Sequence, residues 1–361
     1  MKQLTFTLLL ILSINTFAQK KTKKVVKNDT TQAKKHLGPL FKSDSVLAFV
    51  IVADMKPLLK DRGDKTTDHL AVLKYARKKK GTIEIPIKIK VRGNFRRQAA
   101  NCIFPPLLID IAKQKKKNSV FDYQNKLKLV THCINEDYIF QEQLVYKIYN
   151  LLTDLSFRSR LAKVTYQDSA AKRPTETKMA FLVEDETDLA KRNNLKIYNF
   201  KQLRSEMLDT VVMAKLSVFE YLIGNTDWSV PFLHNIRLLT DSVHAPIPVP
   251  YDFDHSGIVA AKYAMPSEGL PIATVRQRLY RGIGYPLPVF EQVFAQFRVL
   301  RPQIYALYEN NATLQPNYIK KTIKYLDEFY AVINDPKAVK REFIEIGTQN
   351  EAGGVVIKGL N

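Results

Sequence analysis

Alternation of apolar and polar positions is strongest in the first half of the chain. From Gly81 to Arg92, Ile83, Ile85, Ile87, Ile89 and Val91 share one face, while Glu84, Lys88 and Lys90 share the other. That period of two predicts a strand with one buried face. Ser45 to Asp54, built on Val46-Leu47-Ala48-Phe49-Val50-Ile51-Val52, predicts a buried strand, followed by a short turn or helix over Met55 to Asp61. Phe104 to Asp110, opening at Pro105-Pro106, and Lys126 to Val130 predict two more strands. From Glu136 the period changes to that of a helix, with Phe140, Leu144, Ile148 and Leu151 recurring until Thr153-Asp154. Leu161 to Tyr166 and Met179 to Val183 predict a hairpin, and Asp185 to Arg192 a short helix. Thr210 to Ile223 predicts a strongly apolar helix running straight into Gly224-Asn225. Two short strands are expected over 235–240 and 247–251, about a turn at Asp241-Ser242. The pattern from Pro288 to Ile346 is helical, with Val289, Val293, Phe297, Leu300, Ile304 and Tyr308 on one face. This order predicts a two-lobed α+β protein: a β-rich N-lobe with one long helix over 44–200, a helix-rich C-lobe over 201–361, and a ligand cleft between them.

The N-terminus modifies that picture. Lys2, the apolar run Leu8 to Leu12 and Thr16-Phe17-Ala18 before Gln19 have the three parts of a secretory signal peptide over residues 1–18. The Lys-rich residues 19–43 then read as a basic, disordered linker. An exported protein, periplasmic or secreted, is therefore expected. No later apolar stretch approaches the roughly 18 residues that a membrane-spanning helix needs. The net charge of +21 is concentrated in that tail and in Arg77-Lys78-Lys79-Lys80 and Lys115-Lys116-Lys117, short runs that read as solvated loops. A basic surface also suits an acidic protein or an anionic envelope component as partner. Nucleic acid is not expected as a partner, because no aromatic-interleaved basic motif occurs. The two cysteines, Cys102 and Cys133, lie near strand-like segments, and the sequence leaves open whether they form a disulfide or two buried thiols.

Candidate chemistry concentrates in Gly224-Asn225-Thr226-Asp227-Trp228, His234-Asn235 and Tyr251-Asp252-Phe253-Asp254. An Asp, a later Asn and a second Asp after a short strand are parts that phosphoryl transfer requires: one carboxylate orients the attacking hydroxyl, while an amide and a carboxylate hold the metal. If strands 235–240 and 247–251 pair, Asn235 and Asp252 reach the same end of the hairpin, where one Mg²⁺ can touch both. Asp254 lies two residues on and shares the strand face of Asp252. Arg92 suits bidentate contact with a phosphate or a buried carboxylate. Arg276, Arg278 and Arg281 are further candidates for holding an acidic substrate. No Gly-x-Ser-x-Gly or His-Glu-x-x-His motif is present, which sets serine and zinc hydrolase chemistry aside.

At these residues the chain resembles the CotH-like atypical kinases, and more remotely the HipA-type and secretory-pathway kinases. Val91-Arg92-Gly93-Asn94 after a strand, Lys126-Leu127-Lys128, the helix with Glu142, and the run from Asn225 to Asp254 carry the likeness. The resemblance implies an atypical protein-kinase-like fold that takes ATP with Mg²⁺ or Mn²⁺. By it, Asp227 is the catalytic Asp, Asn235 and Asp252 are metal ligands with Asp254 as their rival, Lys128 contacts phosphate, and Glu142 pairs with Lys128. The usual Asp-Arg is here Asp227-Trp228-Ser229, and Asn235 follows Asp227 by eight residues rather than five. The alternative is a catalytically inactive, kinase-like binding module of the cell envelope. Parts of the chain also look like exported proteins of Bacteroidetes-type bacteria, a likeness that brings no function.

Overall fold

The structure is a computed structural model and describes residues 38–77, 81–111, 119–200 and 203–353. The expected signal peptide, most of the basic linker, Lys78-Lys79-Lys80 and the whole of Lys115-Lys116-Lys117 lie outside these residues. Residues 38–43, assigned to the linker from sequence, include a 3-10 turn over Pro39–Lys42 whose Leu40 and Phe41 are buried.

Seven strands make a closed barrel: β1 (Leu47–Ala53), β2 (His69–Arg77), β3 (Gly81–Val91), β4 (Leu107–Ile111), β5 (Lys126–Val130), β6 (Ser159–Asp168) and β7 (Glu176–Val183). Their order around the barrel is β1-β2-β3-β4-β5-β7-β6. Every neighbouring pair is antiparallel except β1 and β6, which run parallel from Leu47↔Ala162 to Ala53↔Asp168. Alternate residues point inward, so Phe49, Ile51, Leu73, Ile87, Ile89, Ile109, Leu129 and Val164 form one apolar interior. β2 lies in a segment to which the pattern above assigned no strand, although Ala71 and Leu73 show the inward alternation.

A second apolar core lies outside the barrel. It is built by four helices: α2 (Asp137–Leu152), α4 (Thr210–Ile223), α5 (Leu287–Glu309) and α6 (Pro316–Asn334). The remaining helices are α1 (Met55–Lys60), α3 (Glu186–Arg192), α7 (Pro336–Val339) and α8 (Ile346–Gly353), with one π turn over Lys340–Glu345. A three-stranded sheet, β8 (Lys196–Tyr198), β9 (Ile236–Thr240) and β10 (Ile247–Pro250), in the order β10-β9-β8, packs with them. No helix among the described residues is long and apolar enough to cross a membrane.

This architecture corrects the expected two-lobed, kinase-like fold. The β-rich part is not an open sheet of an N-lobe. β1 is hydrogen-bonded along both edges, by β2 and β6, so the sheet closes on itself around its own core. Outside the barrel, β8 to β10 and the long helix α2 join the later helices in one mixed core. Alternation along each strand is the same in an open sheet and in a barrel; closure depends on long-range pairing, which local periodicity does not encode.

Cys102 and Cys133 form a disulfide across a separation of 31 residues. Both are buried, and the bond ties the 92–106 loop to the segment between β5 and α2. On a chain-entropy basis such a closure contributes about 3–4 kcal/mol.

Candidate functional site at the junction of the two cores

The site begins at the end of α4. Asp209 caps the start of this helix by accepting from Val212 N–H. Gly224 ends it in the left-handed conformation, where a Cβ would come within 2.0 Å of the Tyr325 hydroxyl, so only glycine fits. The Asn225 side chain then joins helix to loop. Its amide donates to buried Glu220, and its carbonyl oxygen accepts from Asp227 N–H at 3.0 Å. Burial pushes the Glu220 carboxyl up to about 8, against the pull of the Asn225 hydrogen bond. Arg281 donates to the carbonyls of Thr226 and Trp228, the residues on either side of Asp227. The backbone of Asp227 is thus held from three directions.

Beyond Asp227 the chain folds tightly. Ser229 and His234 exchange two main-chain hydrogen bonds of 2.9 Å each, and Leu233 and Asn235 both have positive φ. The turn returns His234 and Asn235 to Asp227. His234 Nε2 lies 2.8 Å from Asp227 Oδ1, a contact that requires the proton on Nε2. Asn235 Nδ2 donates to both the main-chain oxygen and Oδ2 of Asp227, at 2.8 and 3.0 Å. Burial favours the neutral form of each partner, yet the His234 hydrogen bond and charge draw the Asp227 pKa below its ordinary value. Reciprocally, Asp227 raises His234 against the effect of burial.

β9 and β10 pair with Ile236 opposite Pro250, and Tyr251 N–H donates to Asn235 O. Asn235 and Asp252 therefore do meet at one end of the hairpin. Asp252 also has positive φ, and its N–H donates to the Tyr146 hydroxyl of α2. Asn and Asp tolerate this backbone region better than other non-glycine residues, and such conformations gather at functional sites.

Behind Asp252 lies a feature that sequence reasoning missed. The buried Arg96 guanidinium contacts three carboxylates: Glu142 at 3.1 Å, Asp252 at 2.5 Å and Asp254 at 3.2 Å. The predicted pair of Lys128 with Glu142 is consequently absent, because Arg96 takes its place. The three carboxylate oxygens lie within 4.8 Å of one another, and Glu142 Oε1 has no hydrogen-bond partner among the described residues. One guanidinium does not balance three carboxylates, and the pKa directions show the surplus. Burial pushes Glu142 up to about 8 although Arg96 opposes it, and burial also raises Asp254. Only Asp252 is lowered, with burial overcome by Arg96, Arg92, His255 and Lys128. Asp252 exposes 30% of its side chain against 1% for Glu142 and 6% for Asp254, so it is the member that reaches the cleft. A legible trace of Arg96 existed in Arg92-Gly93-Asn94-Phe95-Arg96-Arg97, but its partners lie far away along the chain.

Lys128 is on the outer face of β5, between inward Leu127 and Leu129. Its ammonium stands 4.7 Å from the Tyr251 ring centroid and 5.5 Å from that of Phe157. Burial, then the charges of Arg92 and Arg237, lowers its pKa to about 8. Arg237 stacks on the same Tyr251 ring and pairs with Glu186. Arg276 and Arg278 do not face the cleft; they clamp main-chain carbonyls and stack on Tyr325.

A polar cleft of about 310 Å³ opens over these groups. Asp227, His234, Asn235 and Asp252 line it together with Arg92 and His255. His255 is edge-on to Phe95 at 5.0 Å, which joins the arginine loop to the carboxylate segment. Of the sequence-selected residues, Asp227, Asn235, Asp252, Asp254 and Arg92 come together here; Lys128 sits beside the cleft under Tyr251, and Glu142 lies beneath Arg96. A search among family models, curated proteins and solved structures found no match to the chain.

Proposed function

We propose that the cleft transfers a phosphoryl group from a nucleotide, with ATP as the first candidate, to a hydroxyl of a protein or small molecule. The observation that carries this reading is the meeting of Asp227, Asn235 and Asp252 at one hairpin end, in a cleft that Arg92 also lines. In the transfer, the acceptor oxygen forms a bond to the γ-phosphorus as the bond to the β-phosphate oxygen breaks. The hydroxyl proton passes to the Asp227–His234 pair, and Arg92 and Arg237 offer guanidinium donors to phosphate oxygens. The surplus negative charge of the carboxylate cluster, with its orphaned Glu142 oxygen, fits a hard divalent cation. Asp252 and Asp254 would hold Mg²⁺ or Mn²⁺, which supplies charge neutralisation at the phosphates. Given the expected signal peptide, the setting would be the periplasm or the exterior, with a basic surface suited to an acidic protein or envelope acceptor.

One observation favours a second reading, a binding module without turnover: Arg96 already occupies the midst of the three carboxylates. Both are tested on the chain from residue 19 with γ-labelled ATP and Mn²⁺. Turnover predicts label incorporation that falls by at least roughly 100-fold in Asp227→Ala, the lower range for a lost general base, and likewise falls in Asp252→Ala. Equal labelling in both variants would sink the catalytic assignment. A nucleotide-dependent thermal shift with no labelling would select the binding module.

A further inference from the structure

The Asp227 loop has a second face. While Asp227 and His234 line the cleft, Trp228, Val230, Pro231 and Phe232 line a separate cavity of about 590 Å³. Arg281 also lines it, at 9% exposure, and among the described residues no carboxylate lies within ion-pair distance of its guanidinium. It donates instead to the carbonyls of Thr226 and Trp228. Burial lowers its pKa to about 10, against the pull of Asp227 and Glu220. The other arginine of the lining, Arg204, is closed on Glu206 at 3.0 Å and offers less free charge. Trp228 is 5% exposed, and its indole N–H meets no acceptor among the described residues. The cavity thus combines an apolar wall with one buried cation that makes no direct ion pair among the described residues; Glu206, held by Arg204, and Glu351 stand elsewhere in its lining. Its volume lies in the range of small-molecule sites, which typically pair apolar walls with a few placed polar groups.

We propose that this cavity is a second ligand site, taking a small aromatic carboxylate whose carboxylate pairs with Arg281 and whose ring lies against Trp228 and Phe232. The proposal is independent of the phosphoryl-transfer reading, because it uses neither Asp227 nor the carboxylate cluster as a ligand contact. It identifies a chemical class: an acid with a planar apolar body, small enough for the cavity.

Trp228 is the only tryptophan of the chain, so tryptophan emission reports this cavity directly. The probe is 3-phenylpropionate, with 3-phenylpropionamide as its uncharged counterpart. The acid should give a saturable change in emission with a Kd on the order of 1 mM, as expected for about a dozen heavy atoms at modest efficiency. The amide should bind roughly 10-fold or more weakly, as should the acid to Arg281→Met, since each removes a charged hydrogen bond. Arg281 also braces the loop, so Phe232→Ser provides a variant with less risk to folding: Phe232 is 44% exposed, and its loss should weaken the acid several-fold. No saturable change up to about 10 mM, or equal affinity for acid and amide, would overturn the proposal.

Discussion

The barrel interior and the ionic layer beneath the cleft are both buried, yet they do opposite things with burial. In the barrel, residues such as Ile51, Leu73, Ile109 and Leu129 are wholly enclosed and apolar. Each such side chain contributes about 1.5–3 kcal/mol through removal from water, without demanding a unique partner. In the layer, Arg96, Glu142 and Asp254 are enclosed with nearly equal completeness, but each is ionisable and directed at a named atom of another. Desolvating such groups largely cancels their mutual attraction, so an apolar layer would be at least as stable. The comparison teaches that the barrel supplies stability and the layer supplies position. A costly, over-acidic cluster opening on a cleft is a functional-site candidate for a stated physical reason.

The largest test of that contrast is Arg96→Ala. It leaves three carboxyl groups without their shared cation and should cost about 3–5 kcal/mol near neutral pH, as for other buried pairs broken on one side. The loss should shrink as pH falls and the carboxyls protonate, which denaturant unfolding at several pH values would measure. Ile109→Val in the barrel should cost about 1 kcal/mol, with no dependence on pH. If both variants showed the same pH profile, the distinction between the two regions would fail. Glu142→Gln should have the smallest effect at pH 5, where the carboxyl is already neutral. Its folded pKa is raised from 4.5 to about 8, so the neutral form is favoured in the native state. Stability from that preference is complete below the unfolded value and is lost as pH rises through the folded one. Wild-type stability should therefore decline across that window more steeply than that of Glu142→Gln. Parallel curves would show that the Glu142 pKa is not raised in the native state.

The local elements were legible because their signals are local. Thr210–Ile223 and Lys126–Val130 were found to the residue, since an apolar run with a Gly stop and an alternating run need no distant partner. Asn235 and Asp252 were brought together by a hairpin whose strands are only a few residues apart. The Lys128–Glu142 pair failed for the opposite reason. Its outcome depended on Arg96, which lies 46 residues before Glu142 and 156 before Asp252 in the chain. Three carboxylates, Glu142, Asp252 and Asp254, compete for the nearest buried cation, and that cation is chosen by packing. His234, by contrast, stood beside Asn235 in plain view; its importance appeared only when the Ser229–His234 turn placed its ring on Asp227.

Sequence alone determined the strands other than β2 and β8, the long helices and the concentration of polar chemistry between Gly224 and Asp254, because periodicity and turn residues act over a few positions. Tertiary structure decided that β1 meets β6 and closes a barrel, that Arg96 displaces Lys128 as the partner of Glu142, and that the Asp227 loop separates two cavities. Those outcomes rest on contacts between segments far apart in the chain. They are settled by which buried faces and charges can be satisfied together.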